Sequence, residues 1–82
     1  TEAIRLQPES ADYYNSRGND WSGKKEYDRA VRDYDEAIRL DPNYASAFHN
    51  RGLAWSMKKE YDRAIKDYDE AIRLDPKFAS AY

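Results

Sequence analysis

Apolar residues recur at helical spacing in four stretches of this 82-residue chain. In the last stretch they fall at i, i+3, i+4, i+7, i+10 and i+11, occupied by Tyr61, Ala64, Ile65, Tyr68, Ala71 and Ile72, which is one face of a helix. A residue before proline is disfavoured in the α conformation, so helices end before Pro42 and Pro76. The pattern predicts partial helices at both ends and four main helices, over residues 11–23, 27–40, 45–57 and 61–74.

The helical pattern itself repeats with a period of 34 residues. Residues 21–42 and 55–76 differ at only three positions, and residues 15–48 match residues 49–82 at 24 of 34 positions. A fixed period of this size is typical of stacked supersecondary units, each of which buries its apolar side against its neighbour. We therefore predict an array of helical repeats, whose function is binding along an extended surface.

Composition narrows the class of protein further. With 37% charged residues, a mean hydropathy of −1.16 and no long apolar run, the sequence argues against a membrane span and a signal peptide, and a cytoplasmic location is the default. The absence of cysteine removes disulfides and thiolate metal sites. The net charge of −2 is spread along the chain, so no basic stripe is available for nucleic acid. A stacking platform for bases, built from the eight tyrosines, is the weaker alternative.

Two glycines lie inside predicted helices, where glycine costs roughly 1 kcal/mol relative to alanine. Gly18 and Gly52 therefore indicate close approach of a neighbouring helix, with Ala30 and Ala64 as the expected small partners. The large aromatic residues of the repeats are expected in the core with their polar atoms near the surface. They are Trp21, Tyr27, Tyr34, Trp55, Tyr61 and Tyr68.

The repeat resembles the tetratricopeptide repeat, whose pattern is W-x2-L-G-x2-Y, then A-x3-F, then P. The second unit has Phe48-x2-Arg51-Gly52-x2-Trp55, Ala64-x3-Tyr68 and Pro76, and the first unit matches it in register. The resemblance covers the whole chain. It implies an all-α fold of antiparallel helix-turn-helix repeats, stacked as a right-handed superhelical solenoid. The expected units are the end of a truncated repeat at 1–10, repeats at 11–44 and 45–78, and the start of another at 79–82.

Three departures from the family pattern change local expectations. Arg17 and Arg51 replace the usual leucine, so the stem of each arginine should pack while its head reaches water. Asp20 stands where the family prefers a small apolar residue, a preference that Ala54 keeps in the next unit. Lysines 25 and 59 replace a turn glycine, and a left-handed conformation would cost each about 1 kcal/mol.

The resemblance also implies a concave groove lined by the first helix of each repeat. Its candidate residues here are Asp12, Asn15, Asn19, Ser46, His49, Asn50, Leu53 and Met57. This neutral face of donors and acceptors suits a peptide backbone, and a simply solvated face is the less favoured alternative. Asn19 and Asn50 should face solvent in the free protein, so replacing them should change stability little. They also match the asparagines of the family's clamp for acidic chaperone tails, but Asn15 stands where that clamp has lysine.

Catalysis is not expected. His49 is the only histidine, and it lacks a cysteine or a paired carboxylate within a helical turn, so neither a metal site nor a general base is indicated. We predict a non-catalytic protein–protein interaction scaffold that binds a peptide in the groove and needs no cofactor. The alternative is an assembly module whose repeats stack end to end with other chains. In that case Ile4, Leu6, Phe78 and Tyr82 would be covered by a neighbour.

Overall fold

The computed structural model describes residues 10–77, which form four α-helices and no strand. The helices are α1 (Ala11–Gly23), α2 (Tyr27–Leu40), α3 (Ala45–Met57) and α4 (Tyr61–Leu74). These bounds confirm the four helices predicted from the periodicity. The predicted terminal fragments of repeats, with Ile4, Leu6, Phe78 and Tyr82, lie outside the described residues.

The four helices stack as two hairpins. Helix α1 packs against α2 and α3 against α4, while α2 also packs against α3 and joins the two hairpins. The buried cluster at this junction consists of Ala30, Val31, Tyr34 and Ala54. Because the alanine side chains at the contact points are small, the backbones can approach closely and the Tyr34 ring still fits in the core. The predicted all-α array of antiparallel helix-turn-helix repeats is confirmed.

Each hairpin turns through a lysine in the left-handed conformation. The φ angle is 65° at Lys25 and 66° at Lys59. In the first turn the Glu26 amide donates to the Trp21 carbonyl oxygen at 2.9 Å, and the Lys25 amide donates to Ser22 at 2.9 Å. This is the Schellman arrangement, which satisfies the last carbonyl groups of α1. The left-handed conformation of the turn is therefore retained, although lysine has replaced glycine.

The arginines that replace leucine behave differently from the expectation. Instead of reaching only water, Arg17 makes two hydrogen bonds of 2.8 Å to the Asp33 carboxylate, through Nε and Nη2. Arg51 makes the same bidentate contact with Asp67 at 2.8 and 2.7 Å. Both aspartates are buried, at 5% exposure, although periodicity put Asp67 on the polar face of its helix. A carboxylate tolerates such burial when an arginine satisfies both of its oxygens.

Arg51 also joins the two repeats. Its Nη1 donates to Asp35 Oδ1 of the preceding hairpin at 2.7 Å. One guanidinium group therefore connects α3 to α4 and to α2, and it is itself largely covered, with 21% of its side chain exposed.

We predict that Arg51→Leu destabilises the protein by about 3 kcal/mol, because it leaves the Asp67 carboxylate buried and unpaired. Adding Asp67→Ala should recover at least half of the loss, since the uncompensated charge is then gone. Urea unfolding measures both values. Arg73→Leu is the matched control, because Arg73 pairs with Glu70 on the surface, where an ion pair is worth less than about 1 kcal/mol. Equal costs for the two arginine variants would contradict the assignment.

The two helical glycines face tyrosine rings rather than the predicted alanine side chains. A Cβ atom built on Gly18 would lie 2.6 Å from Cε1 of Tyr34, and one on Gly52 would lie 2.7 Å from the same atom of Tyr68. The nearest alanine atom at Gly52 is a backbone oxygen, Ala64 O, at 3.3 Å. The glycines are therefore required by the tyrosines of the second helices, which lie flat against the backbone of the first.

The other aromatic residues divide between core and surface. Tyr34 is buried at 1% exposure, whereas Tyr61 is 57% exposed, contrary to the prediction that both lie in the core. Trp21 and Trp55 are half-buried. The guanidinium groups of Arg29 and Arg63 lie 4.8 and 4.9 Å from the respective ring centroids. Cation–π contacts of this kind cover the exposed side of each indole.

A matched pair of glycine substitutions tests this packing. Gly18→Ala should destabilise the protein by about 2 kcal/mol, because the methyl group would overlap the Tyr34 ring. Gly23→Ala, in the same helix, should stabilise it by about 0.5 kcal/mol, because nothing lies within 4 Å of its Cβ position and alanine favours helix. Thermal unfolding followed by circular dichroism measures both. The packing assignment fails if Gly18→Ala is neutral or stabilising.

Candidate functional site

Four of the predicted groove residues meet in one cavity between α1 and α3. The cavity has a volume of about 300 Å³. Asn19, Asn50, Leu53 and Met57 line it, together with Ser22, Tyr27, Tyr34 and Ala54. Its lining therefore combines residues of the first helices with two tyrosines of α2.

The apolar part of the lining is unusually open to solvent. Leu53 is 48% exposed and Met57 is 59% exposed, and they lie one helical turn apart on α3. Removing such side chains from water is favourable by up to roughly 1.5–3 kcal/mol for a fully buried residue. This wall of the cavity can therefore bind an apolar side chain of a ligand.

The polar part of the lining includes Asn19, whose side chain is held in place by a hydrogen bond from the core. The buried Tyr34 hydroxyl donates to Asn19 Oδ1 at 2.6 Å and lies 3.3 Å from Ser22 Oγ. Burial raises the pKa of Tyr34, which keeps the hydroxyl protonated as a donor. Because the Asn19 oxygen is committed to this bond, its Nδ2 group is the part that can donate to a ligand.

Asn50 is held by a second set of hydrogen bonds. Its Nδ2 donates to Asn15 Oδ1 at 3.1 Å, and Asn15 Nδ2 in turn donates to the Tyr44 hydroxyl at 3.3 Å. That hydroxyl donates to Asp12 Oδ1 at 2.6 Å. Burial and the Asp12 carboxylate raise the pKa of Tyr44 to about 12. With its nitrogen engaged, Asn50 offers its Oδ1 atom as an acceptor.

The remaining predicted groove residues take other places. Asn15 is buried at 8% exposure beneath Asn50, and Asp12 is exposed at the start of α1. Ser46 is half-buried in the first turn of α3. His49 is also half-buried, with its ring centroid 5.7 Å from that of Tyr68, and burial lowers its pKa. None of these four lines the cavity.

Two structural roles were absent from the sequence argument. The stability of Asn19 and Asn50 variants was expected to change little, but both side chains accept or donate a hydrogen bond within the protein. Tyr34 was assigned to the core without its function of orienting Asn19. A buried tyrosine needs a hydrogen-bond partner for its hydroxyl. The polar residues Asn19 and Ser22 on the neighbouring helix could therefore have indicated this role from the sequence.

Within residues 10–77 no three histidine, aspartate or glutamate side chains are grouped so that they could hold a metal ion. None of the helices in this range combines the length and apolar character needed to cross a bilayer.

The fold and the cavity define a helical-repeat protein with a groove along its first helices. Comparison with known families gives two matches, to the tetratricopeptide repeat over residues 45–78 and to the TPR repeat over residues 24–58. The chain belongs to the tetratricopeptide repeat family. This membership supports a role as a protein–protein interaction scaffold. No curated protein sequence matches the chain.

Solved structures of the same fold are similar in sequence as well. The crystal structure of MamA matches with a TM-score of 0.88 and 32% identity, over 96% of this chain and 46% of MamA. YrrB, described as a TPR protein with an unusual peptide-binding site, matches at 0.83 and 31%, over 90% of this chain and 38% of its own. The TPR domain of Arabidopsis OM64 matches at 0.86 and 29%, over 93% and 63%. The chain thus spans between 38% and 63% of these structures.

The hydrogen bond between Tyr34 and Asn19 can be tested by a double-mutant cycle. Asn19→Ala should cost about 1 kcal/mol in the native background, because it removes the acceptor of a buried hydroxyl. In a Tyr34→Phe background, where no hydroxyl remains, the free-energy cost of Asn19→Ala should be smaller than in the native background by about 1 kcal/mol. The cycle cancels the difference in helix propensity between asparagine and alanine.

Urea unfolding of the four proteins measures this coupling. Ser16→Ala is the control, because Ser16 is exposed on the same helix and should show no coupling to Tyr34. An equal cost of Asn19→Ala in both backgrounds would show that the bond does not contribute to stability.

Proposed function

We propose that this chain is a non-catalytic module that binds a peptide segment in the groove between α1 and α3. The observation that carries the proposal is the single cavity that joins Asn19, Asn50, Leu53 and Met57. It offers an exposed apolar wall next to two amides that the protein holds in fixed orientations. Preformed sites of this kind reduce the entropy cost of binding.

The two amides are complementary to one peptide backbone. Asn19 can donate through Nδ2, since its Oδ1 atom already accepts from Tyr34, and Asn50 can accept through Oδ1, which is separate from the N–H that it donates to Asn15. A peptide carbonyl would accept from Asn19 Nδ2, and a peptide N–H would donate to Asn50 Oδ1. A side chain of the same peptide would then lie against Leu53 and Met57.

The neutral lining of the cavity disfavours acidic peptides. None of the described residues that line the cavity is charged, and Asp12 and Asp20 are exposed on α1. A carboxylate requires charge-assisted donors to offset its desolvation, and Asn15, where the clamp for acidic tails has lysine, is buried and bonded. The preferred anchor is therefore an uncharged aliphatic or thioether side chain.

The repeat itself supports the groove assignment. The two copies differ at ten positions between residues 15–48 and 49–82, and six of these pairs include a residue of a first helix: 15/49, 16/50, 19/53, 20/54, 23/57 and 48/82. Four of those six pairs contribute a residue to the cavity lining, through residue 50, through both 19 and 53, through 54 or through 57. The second helices are nearly identical. Binding residues typically vary while the scaffold that positions them stays the same, and the first and second helices of the two repeats follow this pattern.

We expect random peptides selected by phage display against the 82-residue chain to share one Leu, Ile or Met and to lack acidic neighbours. Leu53→Asp should weaken the binding of a selected peptide by roughly tenfold or more, because it places a charge on the apolar wall. Asn50→Ala should weaken it by about fivefold through loss of one hydrogen bond. Fluorescence anisotropy of labelled peptides measures both.

Ile65→Asp is the matched control for Leu53→Asp. Ile65 is similarly exposed, at 55%, but it lies on α4 and does not line the cavity. Its replacement should leave the affinity unchanged. Selected peptides that tolerate Leu53→Asp, or that lose affinity with Ile65→Asp instead, would place binding outside the groove.

A further inference from the structure

Four side chains form a continuous row of hydrogen bonds across the contact between α1 and α3. Tyr44, which directly precedes α3, donates from its hydroxyl to Asp12 Oδ1 at 2.6 Å and accepts from Asn15 Nδ2 at 3.3 Å. Asn15 Oδ1 in turn accepts from Asn50 Nδ2 at 3.1 Å. This hydrogen-bond row begins at an exposed carboxylate outside the cavity and ends at one of the two amides that line it.

The direction of every bond in the hydrogen-bond row follows from its first member. An ionised carboxylate has no proton to donate, so the Tyr44 hydroxyl must donate to Asp12. The one proton of the hydroxyl is then used, and Asn15 can bond to the hydroxyl only through Nδ2. The Asn15 amide therefore turns Oδ1 toward Asn50, and Asn50 must place Nδ2 on that side. Burial and the Asp12 carboxylate, which raise the pKa of Tyr44, keep the hydroxyl protonated as a donor.

Without a carboxylate at position 12, the opposite direction is equally available. A carboxamide both donates and accepts, so the Tyr44 hydroxyl can then donate to Asn15 Oδ1, and Asn15 Nδ2 can donate to Asn50 Oδ1. The Asn50 amide would be turned over, with Nδ2 in the place where Oδ1 now lies. The oxygen and nitrogen ends of an amide have nearly the same shape, so hydrogen bonding decides between the two orientations.

We infer that Asp12 is a positioning residue that determines which groups of a ligand the groove accepts. By holding the Asn50 amide with Oδ1 available to the ligand, it makes this part of the groove an acceptor, which selects a ligand N–H over a ligand oxygen. The selection of a backbone N–H rests on the peptide-binding function proposed above. The orientation of Asn50 rests on the hydrogen bonds alone.

The first three members of the hydrogen-bond row do not recur in the second repeat. The equivalent positions, 34 residues later, hold Ser46, His49 and Phe78. Phenylalanine has no hydroxyl, so the second repeat lacks the group that links the carboxylate to the amides. The carboxylate and the hydroxyl are therefore not part of the constant frame of the repeat. They belong to the variable set of positions, as the residues that line the groove do.

The first test measures the orientation of Asn50 without a ligand. The Nδ2 proton that Asn50 donates to the buried Asn15 should exchange slowly with water, which NMR of the 15N-labelled chain measures. Asp12→Asn should accelerate this exchange by roughly threefold or more, because Nδ2 then spends part of its time on the open side. Asp12→Glu keeps a carboxylate and should restore slow exchange. Asp20→Asn, the same change of charge at another exposed position of α1, should have no effect.

The second test uses backbone esters of a peptide selected by phage display against the 82-residue chain. An ester replaces one peptide N–H by oxygen and leaves every side chain unchanged. Fluorescence anisotropy should find one position where the ester binds roughly tenfold more weakly than the amide, because its oxygen then faces Asn50 Oδ1. Asn50→Ala should abolish the difference, which assigns the position to Asn50. In the Asp12→Asn chain the ratio should fall to about threefold or less, since Asn50 can turn Nδ2 toward the ester. Asp20→Asn should keep the full ratio.

The outcomes separate the role of Asp12 from the peptide-binding function. A peptide whose Asn50-dependent ester ratio is unchanged by Asp12→Asn would overturn the role of Asp12 and leave peptide binding intact. A peptide with no Asn50-dependent position would overturn the selection of an N–H. If no peptide binds, the peptide-binding function fails, and unchanged exchange of the Asn50 amide in Asp12→Asn would overturn the role of Asp12 as well. Circular dichroism melts confirm that the variants remain folded.

Discussion

The contact between a tyrosine ring and a glycine backbone determines how the helices pair and how the groove is built. The Tyr34 ring occupies the space where Gly18 would have a side chain, and Tyr68 does the same at Gly52. This contact sets the separation of the two helices in each hairpin. It also carries the tyrosine hydroxyl through the core to the groove side, where it meets Asn19 or Ser56. Core packing and the orientation of the site thus have one origin.

The two repeats use this frame for different chemistry. In the first, the residue directly after the glycine is Asn19, which accepts from Tyr34; in the second, the equivalent residue is Leu53, which is exposed. The Tyr68 hydroxyl lies 3.3 Å from Ser56 Oγ, as the Tyr34 hydroxyl does from Ser22 Oγ. The cavity therefore has the amide of Asn19 on α1 and the apolar side chain of Leu53 on α3. Together they offer a ligand both a hydrogen bond and an apolar contact.

Periodicity predicted all four helix ends, because helix ends depend on local signals such as the residue before proline and the left-handed lysine. Burial was harder to predict, since it depends on neighbours that periodicity does not identify. Asp67 lies on the polar side of its own helix but is buried because Arg51 reaches it from another one. Val31 and Ile65 have the same local sequence and opposite exposure, because only α2 has a helix stacked on it. Family resemblance predicted the candidate groove residues, but which of their atoms donate and which accept follows only from the hydrogen bonds in the structure.

The groove and the stacking surface use separate residues, and this separation follows from helix geometry. Leu53 and Met57 line the groove from α3, while Arg51 and Ala54 of the same helix, and Lys58 directly after it, contact α2. Residues one or two positions apart on a helix do not share a face, so the two surfaces can change independently. On α3 the two surfaces share Ala54, which belongs to the buried junction and also lines the cavity. A larger residue there would disturb stacking and binding together, which gives a physical reason for a small residue at this position of the repeat.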